Sequence, residues 1–132
     1  MNPQFQDAKV IVVDDKSVII RELAPGWTMK DEWYSFHTNP RASGAHVLAA
    51  LDESSYVQKG MAGEDLHMGD HPIAWTKCIG NGRSFYSAIG HRPESYSEPH
   101  NVKLLEQAIS WAAGAGETRC RKGEEAGSNS GR

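Results

Sequence analysis

The stretch IAWTKCI-GNG-RSFYSAI, residues 73–89, decides how the chain is read. Ile73 to Ile79 and Arg83 to Ile89 are rich in aromatic and β-branched residues, and they flank Gly80-Asn81-Gly82. Glycine and asparagine tolerate the positive φ that a tight hairpin turn demands, so the stretch predicts two antiparallel strands. A corner stands at each end: Asp70-His71-Pro72 before the first strand, and His91-Arg92-Pro93-Glu94 after the second.

Outward from the hairpin, the remaining elements follow the same logic. Ala8 to Val13 is a short apolar run that ends at Asp14-Asp15, and it reads as a strand. Pro25-Gly26 breaks the chain, and the aromatic-rich Glu32 to Phe36 reads as extended. Asn39-Pro40 predicts a turn. His46 to Leu51 is a further apolar run, and Gly60 to Gly69 reads as a loop. Ser97-Glu98-Pro99 predicts a helix start with Ser97 as cap. Val102, Leu105, Ile109 and Ala112 recur at helical spacing, Leu104, Ala108 and Trp111 widen that face, and Gly114 fits the end. Residues 115–132 are Gly, Ser and mixed charge, which predicts a disordered polar tail after a domain spanning 1–114.

A chain of 132 residues has the length of one domain. Its composition, 39% hydrophobic and 23% charged, is that of a soluble globular protein. A formal net charge of -3 argues against sequence-independent nucleic-acid binding, which needs a strongly basic face. No apolar run approaches the ~20 residues of a membrane span. The N-terminus carries no signal pattern, so a cytoplasmic location is expected. Cys78 reads as a small buried residue, and a bridge to Cys120 is not expected. No motif specifies a cofactor. The six histidines lack the spacing of a metal motif, and no metal site is assigned.

Several residues carry candidate chemistry, each beside an ordinary alternative. His91 at a strand end suits a base or a hydrogen-bonding group, or it is a turn histidine bonded to backbone. Glu94 suits an orienting carboxylate, or it is a solvated acid favoured by the following helix dipole. His71 suits a substrate contact. Asp70 suits a binding carboxylate or an Asx turn. In Asp31-Glu32-Trp33-Tyr34, alternation puts Glu32 and Tyr34 on one face. Carboxylates accept hydroxyl protons and aromatic faces pack on sugar C–H faces, so Glu32 and Tyr34 are the preferred binding pair. The two adjacent carboxylates Asp31 and Glu32 beside Trp33 and Tyr34 suit a sugar, or the block is a strand with Trp33 and Phe36 in the core and Asp31 at a turn.

The blocks WTMKDEWYSFHTNPR, HVLAALDESSY, GDHPIAW, GRSFYSAIGHRPESYSEP and LLEQAISWAAG occur in that order. Together they resemble the C-terminal half of a ThuA-like (trehalose-utilisation) domain, over about Pro3 to Gly114. The resemblance implies the class I glutamine amidotransferase-like superfamily. It implies an α/β fold, here part of a flavodoxin-like sheet, strand-rich, with a β-hairpin and one C-terminal helix. It implies a sugar ligand at strand-end loops. It also implies that His91, with Glu94, stands where relatives keep a catalytic base and its carboxylate, although one inserted residue separates this corner from their pattern. The relatives' cysteine elbow would lie in an N-terminal half that the resemblance does not cover, so glutaminase activity is not expected. The alternative is a catalytically inactive truncated domain, stable by self-association or with a complementary N-terminal half.

Overall fold

The computed structural model describes residues 5–59, 63, 65–80 and 82–114. The predicted tail from residue 115 lies outside them. Five strands form one sheet: β1 (Phe5–Val12), β2 (Gly26–Glu32), β3 (His46–Asp52), β4 (Pro72–Ile79) and β5 (Gly82–Ser87), in the order β2-β1-β3-β4-β5. Every pairing is antiparallel. The strand-rich, one-helix character agrees with the sequence. The parallel strands of a flavodoxin-like layer are not found among the described strands, because hairpin-type neighbours pair here without crossover helices.

The hairpin is the tightest local feature. Ile79 pairs with Gly82, and Gly80 bridges them at φ 61°. The turn's second residue, Asn81, lies outside the described residues. Along β1 and β2 alternation sets the faces: Ala8, Val10 and Val12 turn inward, as do Trp27, Met29 and Asp31. β3 is central and is buried from Val47 to Leu51, as a strand covered on both faces must be. β2 begins at Gly26, where a Cβ would collide with the Val10 carbonyl, so only glycine allows this close approach. The strand therefore starts earlier than the predicted Glu32–Phe36, and residues 33–36 leave it as irregular chain.

Among the described residues a single α-helix, α1 (Pro99–Ala112), covers the inner face. Its N-cap is Glu98 rather than Ser97: proline occupies the first helical position, and the Glu98 carboxylate accepts the Asn101 N–H at 2.8 Å. The buried stripe is Asn101, Leu104, Ala108 and Trp111, and Ile109 is 69% exposed. Leu104, Ala108 and Trp111 of the predicted face are thus buried, whereas Val102 and Leu105 are half-buried and Ile109 and Ala112 turn outward. Asn101 adds a polar member to the buried row, its amide donating to the Ser95 carbonyl at 2.8 Å. Burying Leu104 is worth roughly 1.5–3 kcal/mol. The helix runs from His100, stacked on Trp27, to Trp111, whose carbonyl accepts from Arg83. Arg83 is the cross-strand partner of Cys78. Cys78 is buried, but against expectation it is disulfide-bonded. The other cysteine, Cys120, lies outside the described residues. No helix among the described residues is long and apolar enough to cross a membrane.

Candidate functional site

The ends of β2 and β5 lie at the same edge of the molecule, joined by a buried carboxylate. Asp31 is 0% exposed, and its two oxygens accept the backbone N–H groups of Gly90 at 2.7 Å and His91 at 3.1 Å. This fixes the turn that follows β5 against the end of β2. Gly90 has φ +131°, and a Cβ there would collide with the Tyr96 ring, so the turn closes only on glycine.

The turn delivers the His91 side chain to Glu32 and Tyr34. His91 Nε2 lies 3.0 Å from Glu32 Oε2. The Tyr34 hydroxyl lies 3.1 Å from Glu32 Oε1 and 3.2 Å from His91 Nδ1. Glu32 is mostly buried, and the His91 side chain is 42% exposed. Burial, then the hydrogen bond and charge of Glu32, push the Tyr34 phenol above its ordinary value, so it stays protonated. Proton counting follows from the partners. A carboxylate only accepts, so His91 Nε2 donates to it. In the neutral ring Nδ1 is then an acceptor, and the single phenolic hydrogen is contested between Nδ1 and Glu32 Oε1. The triangle thus offers acceptor and donor groups at one point, which a ligand hydroxyl can meet. A carboxylate–imidazole–phenol chain is also able to take up and return a proton.

Tyr34 and His91 form one side of an open cleft of about 460 Å³. Phe36, Tyr86 and Tyr96 add aromatic surface, and Ser35, Ser87 and the 88–90 backbone add polar atoms. Phe36 meets Trp75 edge-on at 5.5 Å, and Trp75 stacks on Tyr86 at 4.5 Å, so the aromatic wall is braced from behind.

The structure brings Glu32, Tyr34 and His91 together and places the other expected site residues elsewhere. Glu94 is exposed, and among the described residues no hydrogen bond or ion pair joins its carboxylate to His91; Glu32, from another strand, takes that place. His71 is 1% exposed, and both ring nitrogens are occupied, Nε2 at 2.8 Å from the Tyr34 carbonyl and Nδ1 at 2.8 Å from Glu53. It is a core histidine behind the cleft. Asp70 pairs with Arg41 at 2.6 Å and with Asn39, which closes a surface turn. Phe36, Tyr86 and Tyr96 were not singled out as site residues, and Asp31 was weighed as a sugar-binding carboxylate beside Glu32, not as the anchor of the turn after β5. Only Asp31 left a signal, as an acid at an inward position of an alternating strand. Among the described residues no three His, Cys, Asp or Glu side chains gather as a metal ion requires.

Carboxyls with fixed partners, Asp14, Glu53 and Asp70 among them, set the response to acid. The His46 hydrogen bond lowers Asp14. Burial raises Glu53, but the Met68 N–H, His71 and the Gly69 N–H outweigh it and hold the group low. Burial likewise raises Asp70, and Arg41 and Asn39 outweigh it. A carboxyl depressed in the folded state adds stability above its unfolded value, about pH 4, and loses it as pH falls through the lower folded value. The urea midpoint is therefore expected to hold near neutrality and to fall steadily below about pH 4. A midpoint unchanged at pH 3 would contradict this.

The sequence profile of the family described as ThuA, trehalose utilisation, matches residues 1–112. Among solved structures, the chain is similar to a ThuA-like protein from Bacteroides uniformis, with 22% identity and a TM-score of 0.68 over 90% of this chain and 49% of that one. The chain thus spans about half the length of that structure. At this identity the likeness concerns the fold. No curated protein matches the chain.

Proposed function

The chain belongs to the ThuA (trehalose utilisation) family, and we propose that it binds a sugar in the cleft between the ends of β2 and β5. The observation that carries this reading is the Glu32–Tyr34–His91 triangle, whose Tyr34 and His91 line the open cleft with Glu32 behind them. A sugar offers hydroxyls that both donate and accept, which suits a site with a carboxylate, an imidazole and a phenol. The aromatic surfaces of Phe36, Tyr86 and Tyr96 suit the C–H face of a pyranose ring. The volume, about 460 Å³, lies within the ~300–1,000 Å³ of small-molecule clefts. The reading uses no amidotransferase chemistry.

Thermal unfolding in the presence of mono- and disaccharides, trehalose first, tests it. A ligand at ten times its Kd adds about 1.4 kcal/mol, hence a Tm rise of roughly 4 °C. Tyr34→Phe keeps the ring and removes the hydroxyl. It is expected to weaken the responding sugar about three- to tenfold, the worth of one hydrogen bond, while the Tm of the free protein stays close to wild type. Equal affinity in the variant would refute the role of the triangle.

A further inference from the structure

We propose that Glu53 is a positioning residue for the cleft, acting on Tyr34 through His71 and the segment 66–71. Glu53 opens the 3-10 turn Glu53–Ser55 directly after β3, and its side chain is 11% exposed. The carboxylate holds three groups of one segment: the Met68 N–H at 2.6 Å, the Gly69 N–H at 3.0 Å and His71 Nδ1 at 2.8 Å. That segment in turn holds three consecutive residues of the cleft wall. His71 Nε2 meets the Tyr34 carbonyl at 2.8 Å, the Leu66 carbonyl accepts from the Ser35 hydroxyl, and Met68 Sδ accepts the Phe36 N–H at 3.3 Å. Residues 34–36 have left β2, so no strand ladder fixes them. Their placement depends on the segment: Gln58 and Leu51 hold its ends through backbone bonds, Arg41 and Asn39 hold Asp70, and the Glu53 carboxylate fixes Met68, Gly69 and the His71 ring. The Tyr56 hydroxyl, 3.1 Å from His71 Nδ1, closes the pocket around the ring.

The arrangement is specific for a carboxylate. Glutamine keeps one acceptor oxygen, but its NH₂ group would face an N–H where the second oxygen stood. Glu53→Gln therefore frees part of the segment and lets Tyr34 drift from His91. The positioning stands on the geometry alone, whereas its consequence for affinity rests on the sugar-binding reading above.

The test uses the side-chain nitrogen signals of His91 and the ring signals of Tyr34 in the free protein. Among the described residues, the hydrogen-bond route from His91 to this network runs through Tyr34. Glu53→Gln is expected to shift both sets of signals. Glu98→Ala, which removes the α1 cap and loosens the fold elsewhere, is expected to leave them in place. Folded Glu53→Gln with wild-type signals at both residues would overturn the proposal, as would an equal shift in Glu98→Ala. Should Glu53→Gln not fold, Met68→Leu decides, because it removes only the acceptor of the Phe36 N–H. Faster exchange of that amide with a shifted Tyr34 ring supports the proposal, and an unmoved Tyr34 ring overturns it. With trehalose as probe, Glu53→Gln is expected to lower affinity about three- to tenfold, and its effect is expected to be non-additive with Tyr34→Phe. If wild type binds no sugar, the sugar reading falls and the signals of the free protein still judge the positioning.

Discussion

Replacing Asp31 with asparagine is expected to lower stability by about 2–4 kcal/mol, through two charge-assisted hydrogen bonds to a buried acceptor. The carboxylate is 0% exposed and takes the N–H groups of Gly90 and His91 on separate oxygens. Asparagine offers one acceptor and one donor, so one of the two N–H groups meets an N–H and is left unpaired away from water. The turn cannot absorb the change by shifting, since Gly90 is closed in by the Tyr96 ring. Against a total stability of about 5–15 kcal/mol, the loss is a large fraction. Urea unfolding measures it as a lower midpoint at unchanged slope. The site suffers too, because His91 reaches Glu32 only from this turn. A loss below about 1 kcal/mol would mean that the turn is held by other contacts.

Trp33→Ala is expected to cost more, about 3–5 kcal/mol. Trp33 is 1% exposed, and its Nε1–H donates to the Gln6 carbonyl at 2.7 Å. Truncation leaves a cavity in the core and strands that carbonyl. Trp33 also stands between Glu32 and Tyr34, and its burial keeps both neighbours turned the other way. The variant should therefore lose ligand response along with stability. Trp33→Phe separates the two effects: it keeps most of the buried area, loses the single hydrogen bond, and is expected to cost about 1–2 kcal/mol. If alanine and phenylalanine cost the same, the hydrogen bond and not the packing would be the anchor.

What could be read from sequence depended on the range of the interactions. The hairpin was legible because turn chemistry is local, and Gly80 at positive φ bridges Ile79 and Gly82 without help from elsewhere. The pairing of Glu32 with Tyr34 was legible because alternation persists for one step past the strand. Two misreadings share one cause. β2 was placed too late because its inward row, Trp27, Met29 and Asp31, contains an acid, and an acid at an inward position reads as a turn. The helix face was read with Leu104, Ala108 and Trp111, which are buried, but it was extended to Val102, Leu105, Ile109 and Ala112, because the polar Asn101 hides where the inward row begins. Backbone outside the element meets both: the Gly90 and His91 N–H groups bond both oxygens of Asp31, and the Ser95 carbonyl accepts from the Asn101 amide, whose own oxygen stays without a partner among the described residues. Likewise, the partner of His91 was sought nearby at Glu94, whereas sheet topology supplies Glu32 from a strand some sixty residues earlier. His71 was read as a contact from its strand-end position, and only the folded loops show that the ring is enclosed.

The most direct measurement is a trehalose titration followed by backbone and side-chain NMR of the whole chain. The account predicts saturable shifts at Tyr34, Phe36, Tyr86, His91 and Tyr96, with β1 and the exposed face of α1 unmoved. Saturable binding whose shifts lie away from the cleft, or the absence of saturable binding for trehalose and for every other mono- and disaccharide tried, would contradict it.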